Sequence, residues 1–357
     1  MPKKKIEQKS GKDSINNQNN DFSTNTSVVY VQNGLTYDEA RQIAIDVFKS
    51  ETKNYEGEAL KIVNKKAQEL IDEFLEKVYD SNYKDTYRFK EPAIQHAIYN
   101  AQKGFCLDET GETKQDYIQM LIARINCSQK SVLQISIDES INTVEKLTSE
   151  QMDCLTVMFL LLYPQYKLNN IYNLNMYFNE ICSFYHESFN LPSTPLSLKV
   201  YKTCLSFDSV KNYIPIEEIM KDNFPGLFFK GFNEKELVSI SNHESSYYNK
   251  ILIEDIRDSN KIQINALDVD TLKSNIKGTP LEEEESQLID FFNNHIMSLN
   301  EIEKILKTID PNMERLMNTW KNSDLKYCQL TPIGTIIAIS NYNKKMNKQL
   351  DFSRFII

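Results

Sequence analysis

The clearest pattern in the chain is a helical repeat of apolar residues between Gly57 and Tyr79. The apolar positions recur at steps of three and four, which places them on one face of an α-helix. They are Leu60, Val63, Ala67, Leu70, Phe74 and Val78. Lysine and glutamate residues fill the other face. We therefore predict a long central helix whose apolar face is covered by neighbouring helices.

Three further helix starts are marked by capping boxes, in which Ser or Thr is followed three residues later by Glu or Gln. They are Thr36–Glu39, Thr148–Gln151 and Ser298–Glu301. Pro92 and Pro332 suit the first turn of two more helices. The chain of 357 residues contains only 9 Gly and 10 Pro, so helix breakers are few. We predict a mainly α fold: a multi-helix bundle with a β-prone N-terminal arm and a C-terminal winged-helix-like or small helical domain.

Changes in composition suggest four segments. Residues 1–34 form a polar β-prone assembly arm or a disordered tail, and residues 35–164 form the helical bundle. Residues 165–280 are an irregular α or α+β middle region, and residues 281–357 are the C-terminal domain. Within the later segments the pattern predicts helices over 174–189, 196–205 and 245–256, and strands over 261–267 and 325–330.

The arm carries a β-prone stretch from Ser23 to Gln32, which is rich in β-branched and aromatic residues. A lone polar strand cannot stay folded without a partner strand. We therefore expect Thr24, Thr26, Val28 and Tyr30 to pair with the same arm of other subunits, giving a homo-oligomer. The alternative is a flexible tail, which is common for polar low-complexity segments.

Composition indicates a soluble cytoplasmic protein without a membrane segment. The most apolar run, Met158–Tyr163, is too short to span a bilayer, and the first 20 residues lack the apolar core of a secretion signal. The six cysteines form no C-x-x-C pair, so we expect reduced thiols. A net charge of −9 makes nucleic-acid binding an unfavoured but open possibility.

No pattern in the sequence defines a catalytic site. His186-Glu187 and His243-Glu244 begin the H-E-x-x-H zinc pattern, but neither has the second histidine. Phosphate-binding glycine loops and the G-x-S-x-G pattern are also missing from the sequence. We therefore predict no catalytic, metal or cofactor residues.

The end of the chain has the order of a winged-helix domain: three helices, a short strand, then LTPIG leading into a helix. The candidate recognition helix holds Arg315, Trp320 and Lys321 but also Glu314, which is a weak basic face for DNA. We therefore expect this helix, with Arg315 and Trp320, to contact a protein partner or to pack within the protein rather than to bind DNA.

The order of several segments resembles an uncharacterised family of bacterial helical proteins, many of which carry a polar N-terminal arm. The similar segments are GLTYDEARQIAIDVFKS, KAQELIDEFLEKV, EPAIQHAIYNAQKG, LIARI, KLTSEQMDCL and LTPIGTIIAISNYN. The C-terminal L-T-x-x-G also resembles the end of abortive-infection alpha-type proteins linked to phage defence. The resemblance gives no catalytic residue to transfer.

These observations favour a non-enzymatic, oligomeric interaction or scaffold protein, with antiphage defence as its setting. One alternative is a nuclease-like or other effector enzyme with its site in residues 165–278. The other is a DNA-binding regulator that acts through the C-terminal domain.

Overall fold

The structure of the chain is a computed structural model. It describes residues 34–52, 55–81, 83, 85–127, 130–163, 170–186, 202–207, 214–233, 235–236 and 245–356. Clustering of contacts divides the chain into two units, residues 1–34 and 35–357. All helices and strands given below belong to the second unit.

The prediction of a mainly α-helical, multi-helix fold is confirmed. The first seven helices are α1 (Tyr37–Glu51), α2 (Gly57–Asp80), α3 (Pro92–Leu107), α4 (Lys114–Asn126), α5 (Val132–Val144), α6 (Ser149–Leu162) and α7 (Ile171–Cys182). They are followed by α8 (Ile216–Asn223), α9 (Ser245–Tyr248), α10 (Val269–Ile276), α11 (Glu285–Asn294), α12 (Leu299–Lys307), α13 (Met313–Asn322) and α14 (Pro332–Met346). Short 3-10 turns are Thr86–Lys90, Pro225–Phe228, Pro280–Glu284, Asp324–Tyr327 and Phe352–Arg354.

The three capping boxes lie where the sequence places them, at the starts of α1, α6 and α12. In each box the side chain of the cap residue and that of the third helical residue satisfy backbone N–H groups that the first turn leaves unpaired. These helix starts are therefore fixed by local sequence.

One of the most buried helices described is α14, which packs against α4, α5 and α6. Its residues from Gly334 to Asn343 are all buried, whereas α2 buries one face only. Gly334 permits the close approach of the chain before β1, because a Cβ there would lie 2.1 Å from the Cys204 carbonyl oxygen. The long helix α2 is amphipathic as predicted, but the main apolar core surrounds α14.

Four short strands form two antiparallel pairs. β1 (Leu205–Phe207) pairs with β4 (Cys328–Leu330), and Leu205 lies opposite Leu330. β2 (Leu252–Glu254) pairs with β3 (Ile262–Ile264), and Ile253 lies opposite Gln263. β3 confirms the strand predicted over 261–267, and β4 occupies the end of the strand predicted over 325–330.

Two predicted helices are wrong at their ends. The chain is already a strand at Leu205, where the pattern predicts a helix, and α9 ends at Tyr248 and gives way to β2. In both places pairing with another strand overrides local preference: β1 pairs with the distant β4, and β2 with β3, the next strand in the chain. The winged-helix arrangement is not confirmed, because β4 pairs with β1, far back in the chain. The finer division of the chain at residues 164 and 280 stays a prediction.

Candidate functional site

Charged residues converge where α14 ends, beside the beginnings of α4 and α6. Asp116 lies in the first turn of α4, and Lys344 and Lys345 lie in the last turn of α14. A helix favours negative charge at its N-terminus and positive charge at its C-terminus. Asp116, Lys344 and Lys345 therefore each carry the charge that the end of their own helix favours. Asp153, near the start of α6, is the fourth member of this group.

Asp116 is sealed inside this group. Its carboxylate is 1% exposed and accepts hydrogen bonds from Lys344 Nζ at 2.6 Å and from Ser340 Oγ at 2.9 Å. Burial raises the pKa of the Asp116 carboxyl, while contact with Lys344 works against that shift. Lys344 also donates to the Glu112 carbonyl oxygen at 3.3 Å, so it bridges α14 to the loop before α4.

Asp153 is equally buried but has more partners. Lys345 Nζ lies 2.7 Å from both carboxylate oxygens, and Asn341 Nδ2 donates to Oδ1 at 2.8 Å. The fully buried Asn341 also donates to Thr156 Oγ1 at 3.0 Å, which fixes its amide. His186 Nε2 contacts the second oxygen, Oδ2, at 2.6 Å.

His186 connects this buried carboxylate to a cleft of about 290 Å³. The cleft is lined by Glu112, Ser149, Glu150, Asp153, His186, Lys344 and Lys345. The His186 side chain is 41% exposed. On the lip, Ser149 Oγ donates to Glu112 Oε2.

The contact with Asp153 determines which ring nitrogen of His186 can accept a proton. An ionised carboxylate can only accept, so the tautomer that fits this contact has its proton on Nε2, and we assign that tautomer to His186. In the neutral ring, Nδ1 is then the nitrogen with a free lone pair. This His–carboxylate arrangement is the one that orients a general base in many enzymes.

The loop before α4 is held in place by Asp108. Its Oδ1 accepts from Thr110 and Gly111, and its Oδ2 accepts from the N–H and hydroxyl of Thr113. Partial burial works against ionisation, yet these hydrogen bonds lower the pKa of Asp108 to about 2. This turn positions Glu112 at the cleft and Asp116 against Lys344.

Most residues that the sequence singles out lie elsewhere. Trp320 is buried and its Nε1 donates to the Ile214 carbonyl oxygen at 3.0 Å, so its ring is part of the core. Arg315 and Lys321 are exposed on α13. The arm residues Thr24, Thr26, Val28 and Tyr30 lie outside the described residues, and DNA binding through α13 stays a prediction.

Sequence patterns single out His186 for the wrong reason. The incomplete zinc pattern points to Glu187, which lies outside the described residues, whereas the partner in the structure is Asp153, 33 positions earlier. Periodicity does carry one usable clue, because Asp116 and Asp153 interrupt the buried faces of α4 and α6. Lys344 and Lys345 give no such clue, because lysines are common in the last turn of a helix.

A second depression, of about 920 Å³, lies between α1 and α2 and has an acidic lining. Its carboxylates are partly paired at the surface: Asp72 with Arg41, and Glu73 with Lys114 at 2.8 Å and Lys77 at 3.3 Å. Surface ion pairs of this kind contribute little and are widespread. We regard this depression as an ordinary solvated surface.

Two further checks concern metals and membranes. Among the residues that the structure describes, no group of three His, Cys, Asp or Glu side chains is placed to hold a metal ion. Within the same part of the chain, no helix combines the length and apolar character needed to cross a membrane. No disulfide joins the six cysteines, all of which lie in the described part of the chain.

The fold and the cleft define a helical protein with a charged interior at the end of its last helix. A protein-family profile described as ":-like" matches residues 34–356, and the chain belongs to that uncharacterised family. No curated protein and no solved structure matches the chain.

Proposed function

We propose that the protein is an enzyme that uses His186 and Asp153 for proton transfer on a small polar substrate bound in the cleft. One observation carries the proposal: the 2.6 Å contact between His186 Nε2 and a carboxylate that is 1% exposed, at the wall of an open cleft. His186 belongs to the middle region, where the sequence allows an effector enzyme.

The proposed mechanism assigns one role to each side chain. Lys345 and Asn341 hold the Asp153 carboxylate, and Asp153 fixes the His186 ring by accepting from Nε2. Nδ1 then accepts a proton from a bound water or from a hydroxyl of the substrate. The imidazolium that forms is stabilised by Asp153 and returns the proton to the leaving group.

A turnover panel with a matched histidine control tests the proposal. Full-length protein is incubated with carboxylic esters and amides, including arginine esters that carry a positively charged group, and with nucleotides and phosphoric esters, with and without divalent metal. We expect turnover of at least one substrate, with a loss of about 100-fold or more in His186→Ala. His96→Ala is the control, because His96 is exposed on α3 and contacts only Asn100 among the described residues.

Equal turnover by wild type and His186→Ala would overturn the assignment of His186. No turnover of any substrate in the panel would count against the enzyme. Far-ultraviolet circular dichroism and urea titration of both variants show whether a loss of activity reflects a loss of folding.

A second function rests on the sequence of the arm: a homo-oligomeric interaction or scaffold protein in antiphage defence. Its support is the β-prone stretch from Ser23 to Gln32 and the resemblance of LTPIG to the end of abortive-infection alpha-type proteins. Light scattering of full-length protein and of a variant lacking Ser10–Gly34 tests the assembly. We expect an oligomer that the deletion converts to a monomer, and two identical monomers would refute it.

A further inference from the structure

The charges around the cleft identify a chemical class of ligand, and this inference rests on the function proposed above. Three carboxylates and two ammonium groups line the cleft, and a fourth carboxylate, Asp116, is buried against Lys344, so two carboxylates are in excess when His186 is neutral. The carboxylates are Asp116, Asp153, Glu112 and Glu150, and the ammonium groups are Lys344 and Lys345.

The two lysines are already neutralised by the buried carboxylates. Lys344 pairs with Asp116 at 2.6 Å and Lys345 with Asp153 at 2.7 Å. An anionic ligand would have to compete with these short contacts, and it would also meet the carboxylates on the lip. The cleft therefore disfavours phosphate groups, although lysines line it.

Glu112 and Glu150 are the carboxylates in excess. Both are exposed, and in the described part of the chain neither makes an ion pair within 4 Å. Hydrogen bonds from its own backbone N–H and from Thr148 lower the pKa of Glu150, so it is ionised at neutral pH. Charges of one sign at the mouth of a cleft raise the local concentration of ligands of the opposite sign.

We propose that the cleft binds a small molecule carrying a positively charged amine or guanidinium group, held at the lip by Glu112 and Glu150. The rest of the ligand would then reach His186 Nδ1. The volume of about 290 Å³ lies just below the range of ~300–1,000 Å³ typical of pockets for drug-sized ligands. This volume suits a small molecule.

Isothermal titration calorimetry on the full chain tests this assignment. The cationic probes are arginine, putrescine and spermidine, and the anionic probes are inorganic phosphate, AMP and citrate. We expect binding of at least one cationic probe that weakens as salt rises, and weaker or undetectable binding of the anions. Glu112→Gln and Glu150→Gln should each weaken binding up to about fivefold.

Glu283→Gln is the matched control, because Glu283 is exposed on the 3-10 turn Pro280–Glu284, away from the cleft lining. Tighter binding of phosphate or AMP than of every cationic probe would overturn the inference. So would a loss of affinity in Glu283→Gln equal to that in Glu112→Gln and Glu150→Gln. Failure of all cationic probes to bind would do the same.

This test is separable from the test of catalysis. His186→Ala should keep its affinity for the cationic probe, since His186 does not hold the charged group, while it loses turnover. Binding without turnover by the wild type would refute the proposed enzyme and leave the ligand class standing. Turnover of an anionic substrate would refute the ligand class and leave His186 as the base.

Discussion

The end of α14 presents two neighbouring lysines to two buried carboxylates, yet the two pairs differ in what surrounds them. Asp116–Lys344 is closed: Lys344 is 17% exposed, and the remaining oxygen of Asp116 is bound by Ser340. Asp153–Lys345 is open: Lys345 is 37% exposed, and His186 links the carboxylate to the cleft.

The difference assigns a structural role to the closed pair and a chemical role to the open pair. A buried ion pair rarely adds net stability over apolar packing, but removing one partner is costly because the other charge stays buried. Asp116 does not line the cleft, although its partner Lys344 does, so we assign the closed pair to fixing α14 against α4. In the open pair, the Asp153 carboxylate also orients His186. This difference predicts unequal losses of stability when each lysine is replaced.

Lys344→Met should have the largest effect. It leaves Asp116 buried with only Ser340 as a partner, and we expect a loss of about 3–5 kcal/mol in the free energy of unfolding. Urea denaturation followed by circular dichroism measures it. Lys348→Met is the control, because Lys348 is exposed just beyond α14 and should change stability by less than about 0.5 kcal/mol. Equal values for the two variants would show that the closed pair does not stabilise the fold.

Lys345→Met should cost less, about 1–2 kcal/mol. Lys345 is more exposed than Lys344, and Asp153 keeps Asn341 and His186 as partners after the change. The same urea titration gives the value. A loss as large as that of Lys344→Met would mean that both pairs serve the fold, and the contrast between them would disappear.

The ends of most bundle helices follow from local sequence, but the site does not. Thr36, Thr148 and Ser298 start their helices because the interacting side chain is only three residues away. By contrast, Asp153 meets His186 and Lys345 only after α6, α7 and α14 have packed together. Nothing in hydrophobic periodicity encodes those distances.

The same argument explains the wrong predictions between residues 202 and 256. β1 exists because Leu205–Phe207 pairs with Cys328–Leu330, and β2 exists because it pairs with β3. In β1 and β2 the local helical pattern outweighs three residues of strand, which are recognised only once their partner is known. The hydrogen bond of Trp320 to the Ile214 carbonyl likewise joins distant parts of the chain.

The turn that positions the closed pair should give a smaller, pH-dependent effect. Hydrogen bonds lower the pKa of Asp108 to about 2, below its unfolded value near 4, so its contribution to stability is present above pH 4. That contribution is lost as the pH falls from about 4 to 2. After allowance for solvent screening we expect about 1 kcal/mol.

Asp108→Asn removes this titration, so wild type and variant are compared by urea denaturation at pH 7, 4 and 2.5. The stability difference between them should shrink as the pH falls through this window. A difference that stays constant from pH 7 to 2.5 would show that the ionised form of Asp108 does not hold the turn before α4.

His186→Ala should have the smallest effect on stability, below about 0.5 kcal/mol, although it should have the largest effect on chemistry. The ring is 41% exposed, and Asp153 retains Lys345 and Asn341 when His186 is removed. Urea denaturation and the turnover panel, applied to one preparation, measure both quantities. If the variant is instead destabilised as much as Lys344→Met, His186 belongs to the structural network. A residue retained for catalysis need not contribute to stability. If His186 does contribute as much as Lys344, the open pair differs from the closed pair only in exposure.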